Sequence, residues 1–356
     1  MPIPIKQCKG MKKIFIGIDF SKEKFDATVI KAEGVEERAE RKHEVFDNKV
    51  SGFRRLLRWV KSSVDEQDTS LWLFCGENTG GYSKALCNYL YGSGYDMWLE
   101  NALSIKRSSA LQRTKSDKAD AGIIAEYAMR NYDQMRLYKP LEKNLERLRE
   151  VFLYRQNLVK LKASMMTRKG EKKLTQEKSD ISRFMSQSSK HLISEFNKKI
   201  AECDMRIDKI ISEDEDLRRN FEIITSVPGV GTQNAVCLMV YTDNFKRFDY
   251  DSRKIACYYG VAPFGRQSGT SVNTPPHVSP FANKLIKALL TQAALASVNF
   301  CPHMAVYYRR LVEAGKKKPV VVNNVKNKLI HVITAMVRKG EMYNPDHDYY
   351  AAMKVA

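Results

Sequence analysis

The sequence predicts an α/β sheet domain joined to a largely helical remainder, and three observations predict it. Across residues 12–135, short apolar runs of strand length alternate with segments of helical spacing. Residues 141–220 are rich in Lys, Glu, Leu, Arg and Ile and contain no proline and a single glycine, Gly170. From Phe221 onward, apolar helical segments are separated by turns that carry glycine and proline. The expected domains are therefore 12–135, 141–220 and 221–345, which a 356-residue chain can accommodate.

Lys13 to Asp19 is an apolar run of the kind found in strands buried on both faces. Phe25 to Ile30 alternates and is its expected hairpin partner, and His43 to Phe46 gives a weaker third strand. Val50 to Val64 places Phe53, Leu56, Leu57 and Val60 on one helical face. Leu71 to Cys75 is an apolar strand, Tyr82 to Leu90 a helix, Met97 to Glu100 a short strand, and Asp117 to Met129 a helix. Three strands followed by alternating helices and strands is the order of the ribonuclease-H-like fold, a mixed sheet covered by helices.

In the second domain, Leu145, Leu148, Val151, Phe152, Leu158 and Leu161 fall at helical spacing, as do Ile200, Met205, Ile207, Ile210 and Ile211. This predicts long helices in a coiled-coil-like hairpin or dimerisation arm, interrupted or turned at Gly170 and at 175–179. An ordinary helical subdomain would show the same pattern. In the third domain, Val227-Pro228-Gly229-Val230-Gly231 lies between two helical segments. Its glycines permit a tight turn with open amides at the next helix start, the pattern of a helix-hairpin-helix that grips a DNA phosphate. A plain interhelical turn fits the same residues. Helices are expected at Ser252–Tyr259, Ala282–Val298, His303–Ala314 and Val320–Arg338. A loop runs from Gly260 to Ser271, followed by Pro275-Pro276.

Charge narrows the partner. Lys and Arg number 60 against 41 Asp and Glu, a formal net charge of +19. Such a surface attracts nucleic acid. The seven cysteines are scattered without a CxxC pair, and the six histidines are dispersed. Both patterns argue against a disulfide framework or a zinc site and for reduced thiols in the cytoplasm. No apolar run reaches the ~20 residues of a membrane span, and the Met1-Pro2-Ile3-Pro4 start has no secretory apolar segment. No membrane partner is expected.

Four acids carry the candidate chemistry. Asp19 and Glu77 each end an apolar run, and Asp117 and Asp120 share a helix face three residues apart. A carboxylate ending a buried strand must be solvated, hydrogen-bonded, paired or metal-bound. Mg²⁺ takes a few carboxylates together with substrate phosphates, so the set is a candidate site for one or two such ions. Asp26 competes with Asp19, although alternation sets it at the polar edge of its strand. Asp117 after Ser116 also fits a helix cap, and Glu77 a loop acid. Lys106, Arg107, Arg113, Lys115 and Lys118 cluster around the Asp-x-x-Asp segment, as a phosphate track or a solvated basic loop would. Downstream, Ser268 precedes Gly269 and follows Arg266. A serine on such a loop acts as a nucleophile only when something activates it, and no Ser-His-Asp arrangement is legible.

These motifs resemble a known family. Ile16-Gly17-Ile18-Asp19 through Asp26, Glu77-Asn78-Thr79-Gly80, and Lys115-Ser116-Asp117-Lys118-Ala119-Asp120-Ala121 are similar, in order, to the acidic motifs of the DEDD transposases of insertion sequences. Val227 to Gly231, Gly260-Val261-Ala262-Pro263 and Ser268-Gly269 resemble that family's C-terminal transposase domain. The family includes the Piv-type DNA invertases and the bridge-RNA-guided recombinases. The resemblance implies a RuvC-like domain holding Mg²⁺ through Asp19, Glu77, Asp117 and Asp120, and a transient link between Ser268 and DNA. It also implies donor and target DNA as substrates and a noncoding bridge RNA as partner. Assembly would be as dimers pairing into tetramers, with active sites shared between subunits. Where the family has a basic Lys-x-Gly-Asn-like turn, this chain has Pro275-Pro276-His277-Val278-Ser279-Pro280-Phe281-Ala282-Asn283-Lys284. Lys284 and Arg266 remain as phosphate contacts, and Ser271 and Ser279 as rivals to Ser268.

Overall fold

The computed structural model describes residues 12–31, 41–78, 80–108, 117–174, 180–268, 272–278 and 282–346. At 117–118, 168–174, 266–268 and 272–276 it describes the backbone alone. The chain divides into two units, Met1–Pro140 and Leu141–Ala356.

The first unit is built on five strands: β1 (Ile14–Phe20), β2 (Lys24–Lys31), β3 (Arg41–Asp47), β4 (Trp72–Glu77) and β5 (Met97–Glu100). Their order in the sheet is β3-β2-β1-β4-β5. β1, β2 and β3 are antiparallel neighbours, whereas β4 runs parallel to β1 and β5 parallel to β4. The expected mixed sheet covered by helices is present. The continuous apolar runs of β1 and β4 follow from cover on both faces. On one face, α1 (Val50–Ser63) and α2 (Gly81–Gly92) bury Phe53, Leu56, Val60, Leu86 and Leu90 against Ile14, Ile16, Ile18 and Phe74. Each such side chain contributes about 1.5–3 kcal/mol when fully buried. On the other face, α4 (Asp117–Asn131) and the short α3 (Ala102–Ser108) set Ile124, Ala128 and Ile105 on Phe15, Leu73, Cys75 and Trp98. The third strand is longer than its alternation suggested, because it completes a full ladder with β2.

The second unit is helical apart from one hairpin. α5 (Lys143–Leu174) and α6 (Asp180–Ser212) lie antiparallel, because Asn144 meets Asp214, Arg147 meets Glu213 and Arg155 meets Asp204. α5 runs unbroken through Gly170, so that glycine does not interrupt it, while 175–179 lie outside the described residues. The feet of the pair, Leu148, Phe152, Ile207 and Ile210, enter the core of the helices that follow. Farther out, Leu161, Met166, Ile181 and Phe184 are exposed. The core gathers α7 (Glu215–Thr225), α8 (Thr232–Thr242), α9 (Ser252–Tyr258), α10 (Lys284–Phe300), α11 (Pro302–Glu313) and α12 (Lys318–Lys339). α8 is buried at every position from Ala235 to Val240. Within the expected loop from Gly260 to Ser271, Pro263–Ser268 instead forms a strand, β6, paired antiparallel with β7 (Val272–Val278), while 269–271 lie outside the described residues. Glycine and proline content suggested the loop, but a two-stranded ribbon tolerates proline at its outward edges. No single helix among the described residues is long and apolar enough to cross a membrane.

Candidate active site

Asp19 ends β1 and Glu77 ends β4, and the sheet register sets them level. Ile18 pairs with Gly76 on neighbouring parallel strands, so the next residues on each strand are Asp19 and Glu77. Side chains alternate along a strand, and level neighbours share a face. Phe15 and Cys75 belong to the core under α4, so Asp19 and Glu77, an even number of residues farther on, share the α4 face. Both acids are half-buried.

Gly17 brings in the third acid. A Cβ at Gly17 would collide with the Ala121 carbonyl oxygen and the Ala125 amide of α4. Glycine alone lets the helix backbone lie on the strand. Two residues earlier, the Phe15 ring lies 5.9 Å from that of Tyr132, just past the end of α4. The helix therefore runs antiparallel to β1, with its start nearest Asp19. Two strand residues advance about 6.7 Å, equal to about four or five helical residues at about 1.5 Å each. Counted back from the Ala121–Ala125 contact, that step reaches 117–120. Asp120 is half-buried there, and Asp117 opens the helix with only its backbone described.

Two further acids stand on the same face and edge. Asp26 is level with Asp19 across the antiparallel pair, and its Oδ1 lies 2.8 Å from His43 Nε2. It is thus turned inward and bonded, more than the polar-edge position its alternation suggested. Glu100 is level with Glu77, and its Oε1 accepts the Asn101 amide at 2.8 Å. Burial, then the Glu100 carboxylate, push up the Tyr127 phenol on α4. Burial likewise pushes the Cys75 thiol up. Glu100 was missed in the sequence, although it closes an apolar strand just as Glu77 does. Asp26, Asp19, Glu77 and Glu100 form a row across four strands.

Among the described residues, no three His, Cys, Asp or Glu side chains converge tightly enough to hold a metal ion, and the Asp117 side chain falls outside that statement. The donor chemistry still fits a hard divalent ion. The set is all carboxylate oxygen, at a half-buried edge where like charges call for a cation.

The remaining candidates have separate local causes. Lys106 and Arg107 are exposed in the last turn of α3, while Arg113 and Lys115 lie outside the described residues. Gly229 has φ +91°, and a Cβ there would collide with the Ser297 amide of α10. Its glycine is required for the turn to lie on that helix. Gly231 caps α8 and is exposed, with nothing within 4 Å of its Cβ position and no side-chain cap hydrogen bond. Ser268 pairs with Val272 on the last rung before the hairpin turn, and Arg266 pairs with Thr274. Ser271 and Ser279 lie outside the described residues. Lys284 is the exposed first residue of α10, whose Asn283 cap accepts the Leu285 amide at 2.9 Å.

A mixed sheet with an acidic row under a helix, in a strongly basic chain, defines a class of metal-assisted nucleic-acid enzymes. Comparisons with known proteins narrow it. A transposase family model of the DEDD, IS110 type matches residues 16–176. A model for transposases of the IS116/IS110/IS902 family matches residues 221–309. The pilin gene-inverting protein of Moraxella bovis is 24% identical over 337 residues, covering 94% of this chain and 98% of its own. An insertion-element IS110 protein of Streptomyces coelicolor is 31% identical over 121 residues, 34% of this chain and 29% of its own. The Thermus thermophilus RuvC structure covers 35% of this chain and 98% of its own at 13% identity, with a TM-score of 0.26, too low to argue from. The chain belongs to the IS110-type DEDD transposases, the family that also holds the pilin gene-inverting proteins. It is a DNA-recombining enzyme, and enzymes with this acid set generally use divalent metal ions.

Proposed function

We propose that this recombinase cuts and rejoins DNA through a transient ester to Ser268, with Mg²⁺ held by Asp19, Glu77, Asp117 and Asp120 in a RuvC-like domain. The observation that carries the reading is the level placement of Asp19 and Glu77 beside the start of α4. It supports a shared ion site because each acid alone would be costly at a half-buried edge. A divalent ion, when bound, supplies charge stabilisation at the attacking and leaving oxygens. In the exchange, the Ser268 Oγ–P bond forms as one P–O bond of the DNA backbone breaks. The hydroxyl loses its proton to solvent, and the freed DNA oxygen gains one. Attack by the hydroxyl of another DNA end then releases the serine and reseals the strand. The number of phosphodiester bonds is conserved, so no energy-rich cofactor is needed.

The finer assembly follows the family resemblance. The 12–135 segment would be the metal domain, 141–220 the coiled-coil-like dimerisation arm, and 221–345 the transposase domain. Dimers pairing into tetramers would bring the acids of one subunit to the serine of another, which accounts for a sequence in which no Ser-His-Asp arrangement is legible. An element-encoded bridge RNA would select donor and target, in the cytoplasm. The end-to-end match to a pilin gene-inverting protein favours a second reading, DNA inversion without an RNA guide. RNA copurifying with the active protein, and activity lost on RNase treatment, distinguish the first reading from the second.

The decisive measurement is adduct trapping on a denaturing gel with a labelled DNA junction. A covalent protein–DNA band that disappears in Ser268→Ala is expected. Strand cleavage with no adduct in the parent protein would instead identify a junction-resolving nuclease in which water attacks.

A further inference from the structure

The rotation of α4 about its own axis decides where Asp120 points. Asp120, Ile124 and Tyr127 follow one another at spacings of four and three, so they form one stripe along the helix. Ile124 belongs to the cluster of Leu73, Cys75 and Trp98, which sets that stripe over β4 and β5. Ala121 and Ala125 lie instead on Gly17 of β1. On the opposite flank, Glu126 takes Arg41 from β3. Alanine against glycine fixes how close the helix lies, but small apolar groups resist rotation weakly. Rotation is therefore set by what holds the two flanks.

On the β5 flank the holder is Tyr127. Its ring stands 5.3 Å from that of Trp98. Glu100 follows Trp98 by two residues, so both side chains leave the same face of β5. A tyrosine hydroxyl in a half-buried place takes a hydrogen-bond partner, and here the partner is the Glu100 carboxylate. Glu100 is in turn anchored. Its Oε1 accepts the Asn101 amide at 2.8 Å, and Asn101 Oδ1 accepts the Leu103 amide at 2.9 Å at the start of α3. Its carbonyl accepts the Asn78 amide at 2.9 Å, one residue past Glu77. The residue that holds Tyr127 is thus bonded to the strand end that carries Glu77.

We propose that Glu100 is a positioning residue of the acid site, gripping Tyr127 so that α4 is held in the rotation that aims Asp120 toward Glu77. This rests on the reading of Glu77 and Asp120 as joint holders of a divalent ion. Like charges on level residues of neighbouring strands repel, so the charge of Glu100 beside Glu77 is a cost, and the bond to Tyr127 is what the site gains.

The test uses the full-length protein with Glu100→Ala, Glu100→Gln, Tyr127→Phe, the double variant Glu100→Ala/Tyr127→Phe, and Asp19→Asn. Two quantities are read: hydrogen exchange of the α4 amides in metal-free protein, and the Mg²⁺ concentration that half-saturates DNA strand exchange. Glu100→Ala and Tyr127→Phe should each speed amide exchange in α4 and raise the Mg²⁺ requirement about tenfold or more, the usual cost of losing a partner behind a metal ligand. Saturating Mg²⁺ should restore the rate toward the parent's. The double variant should do no more than the larger single change, because the two groups form one link. Glu100→Gln keeps an acceptor and should recover most of the loss. A parent-like Mg²⁺ requirement in Glu100→Ala and Tyr127→Phe overturns the proposal, even where α4 exchanges faster, since the bond would then serve the fold alone. Additive effects in the double variant overturn it too, as does a Glu100→Gln no better than Glu100→Ala, which would make the charge the active feature. Should Glu100→Ala not fold, Tyr127→Phe decides by the same two readings. Asp19→Asn separates the two failures. Strand exchange that survives it defeats the acid-site reading and this inference with it. Strand exchange lost there, with a parent-like titration in Glu100→Ala, defeats the inference alone.

Discussion

In the first unit Gly17 lets α4 lie on β1, and in the second Gly229 lets the turn before α8 lie on α10. The backbone device is the same, and the chemistry around it is opposite. Seating α4 brings the 117–120 turn to the strand ends, where Asp26, Asp19, Glu77 and Glu100 stand in a row. Seating the α7–α8 turn completes a core whose surface, from Ser252 to Gly340, is almost free of acids. The net charge of +19 is therefore not a uniform coat. The first unit sets a row of carboxylates at its strand ends, and the Ser252–Gly340 stretch of the second carries fourteen Lys and Arg with one acid. A metal-assisted enzyme acting on DNA needs both.

The largest effect should come from breaking the acidic side alone. Asp19→Asn and Asp120→Asn each remove one charge with little change of shape. Each is expected to lower strand exchange by at least about 10²–10³-fold, the usual cost of losing one element of transition-state charge stabilisation. DNA affinity should stay within about threefold, because the basic surface carries binding. Stopped-time exchange assays beside gel-shift titrations check this. If affinity falls as far as activity, the acids are holding the fold and not an ion.

The next effect separates the two glycines. A methyl group at either forces helix backbone apart, at about 1–3 kcal/mol for overpacking. At Gly229 the positive φ adds about 1–3 kcal/mol. Gly229→Ala should therefore lower the thermal midpoint more than Gly17→Ala. Activity should reverse the order. Gly17→Ala moves the start of α4 from Asp19 and is expected to reduce exchange more than its stability loss explains, with a raised metal requirement. Melting curves and exchange rates across a Mg²⁺ titration give both quantities. Equal metal dependence in the two variants would mean that α4 does not complete the acid site.

The same contrast explains how much of the molecule was legible in its sequence. The acids end apolar runs, and apolar runs are the strongest local signal of a buried strand, so Asp19 and Glu77 could be found one at a time. Their level register could not, because pairing is a long-range property fixed by all five strands. Glu100 escaped for a related reason. It closes a strand only four residues long, and its importance lies in standing beside Glu77. Gly17 belongs to the first acidic motif, yet the helix pressed on it comes from residues 121–125, about a hundred positions away. In the second unit, the serine ribbon was read as a loop because glycine and proline dominate it. Nothing local marks a two-stranded ribbon whose root is held by Asn323, 62 residues downstream of Val261. The charge concentration after Ser252 is visible in the sequence alone, but its meaning depends on α10 and α12 meeting at the hairpin.

The smallest expected effect sharpens the comparison through a histidine in each unit. His43 sits on a carboxylate, Asp26, whereas His331 of α12 shares its Nδ1 with the Ser252 hydroxyl at 2.9 Å, in cationic surroundings. Burial first, then Lys328 and Arg253, push the His331 pKa below its ordinary 6.5, with Asp251 opposing. The folded protein thus binds the proton less readily than the unfolded chain. The neutral imidazole therefore contributes stability that is present above about pH 6.5. That stability is lost as pH falls through the lower folded value. His331→Gln should leave the melting temperature unchanged at pH 8 and make its decline toward pH 5 shallower by a few degrees. Scanning calorimetry at three pH values reads this directly. A variant whose midpoint falls as steeply as the parent's would show that the cationic surface of the second unit does not weigh on its buried groups, and the opposition between the two units would then be one of sequence composition only.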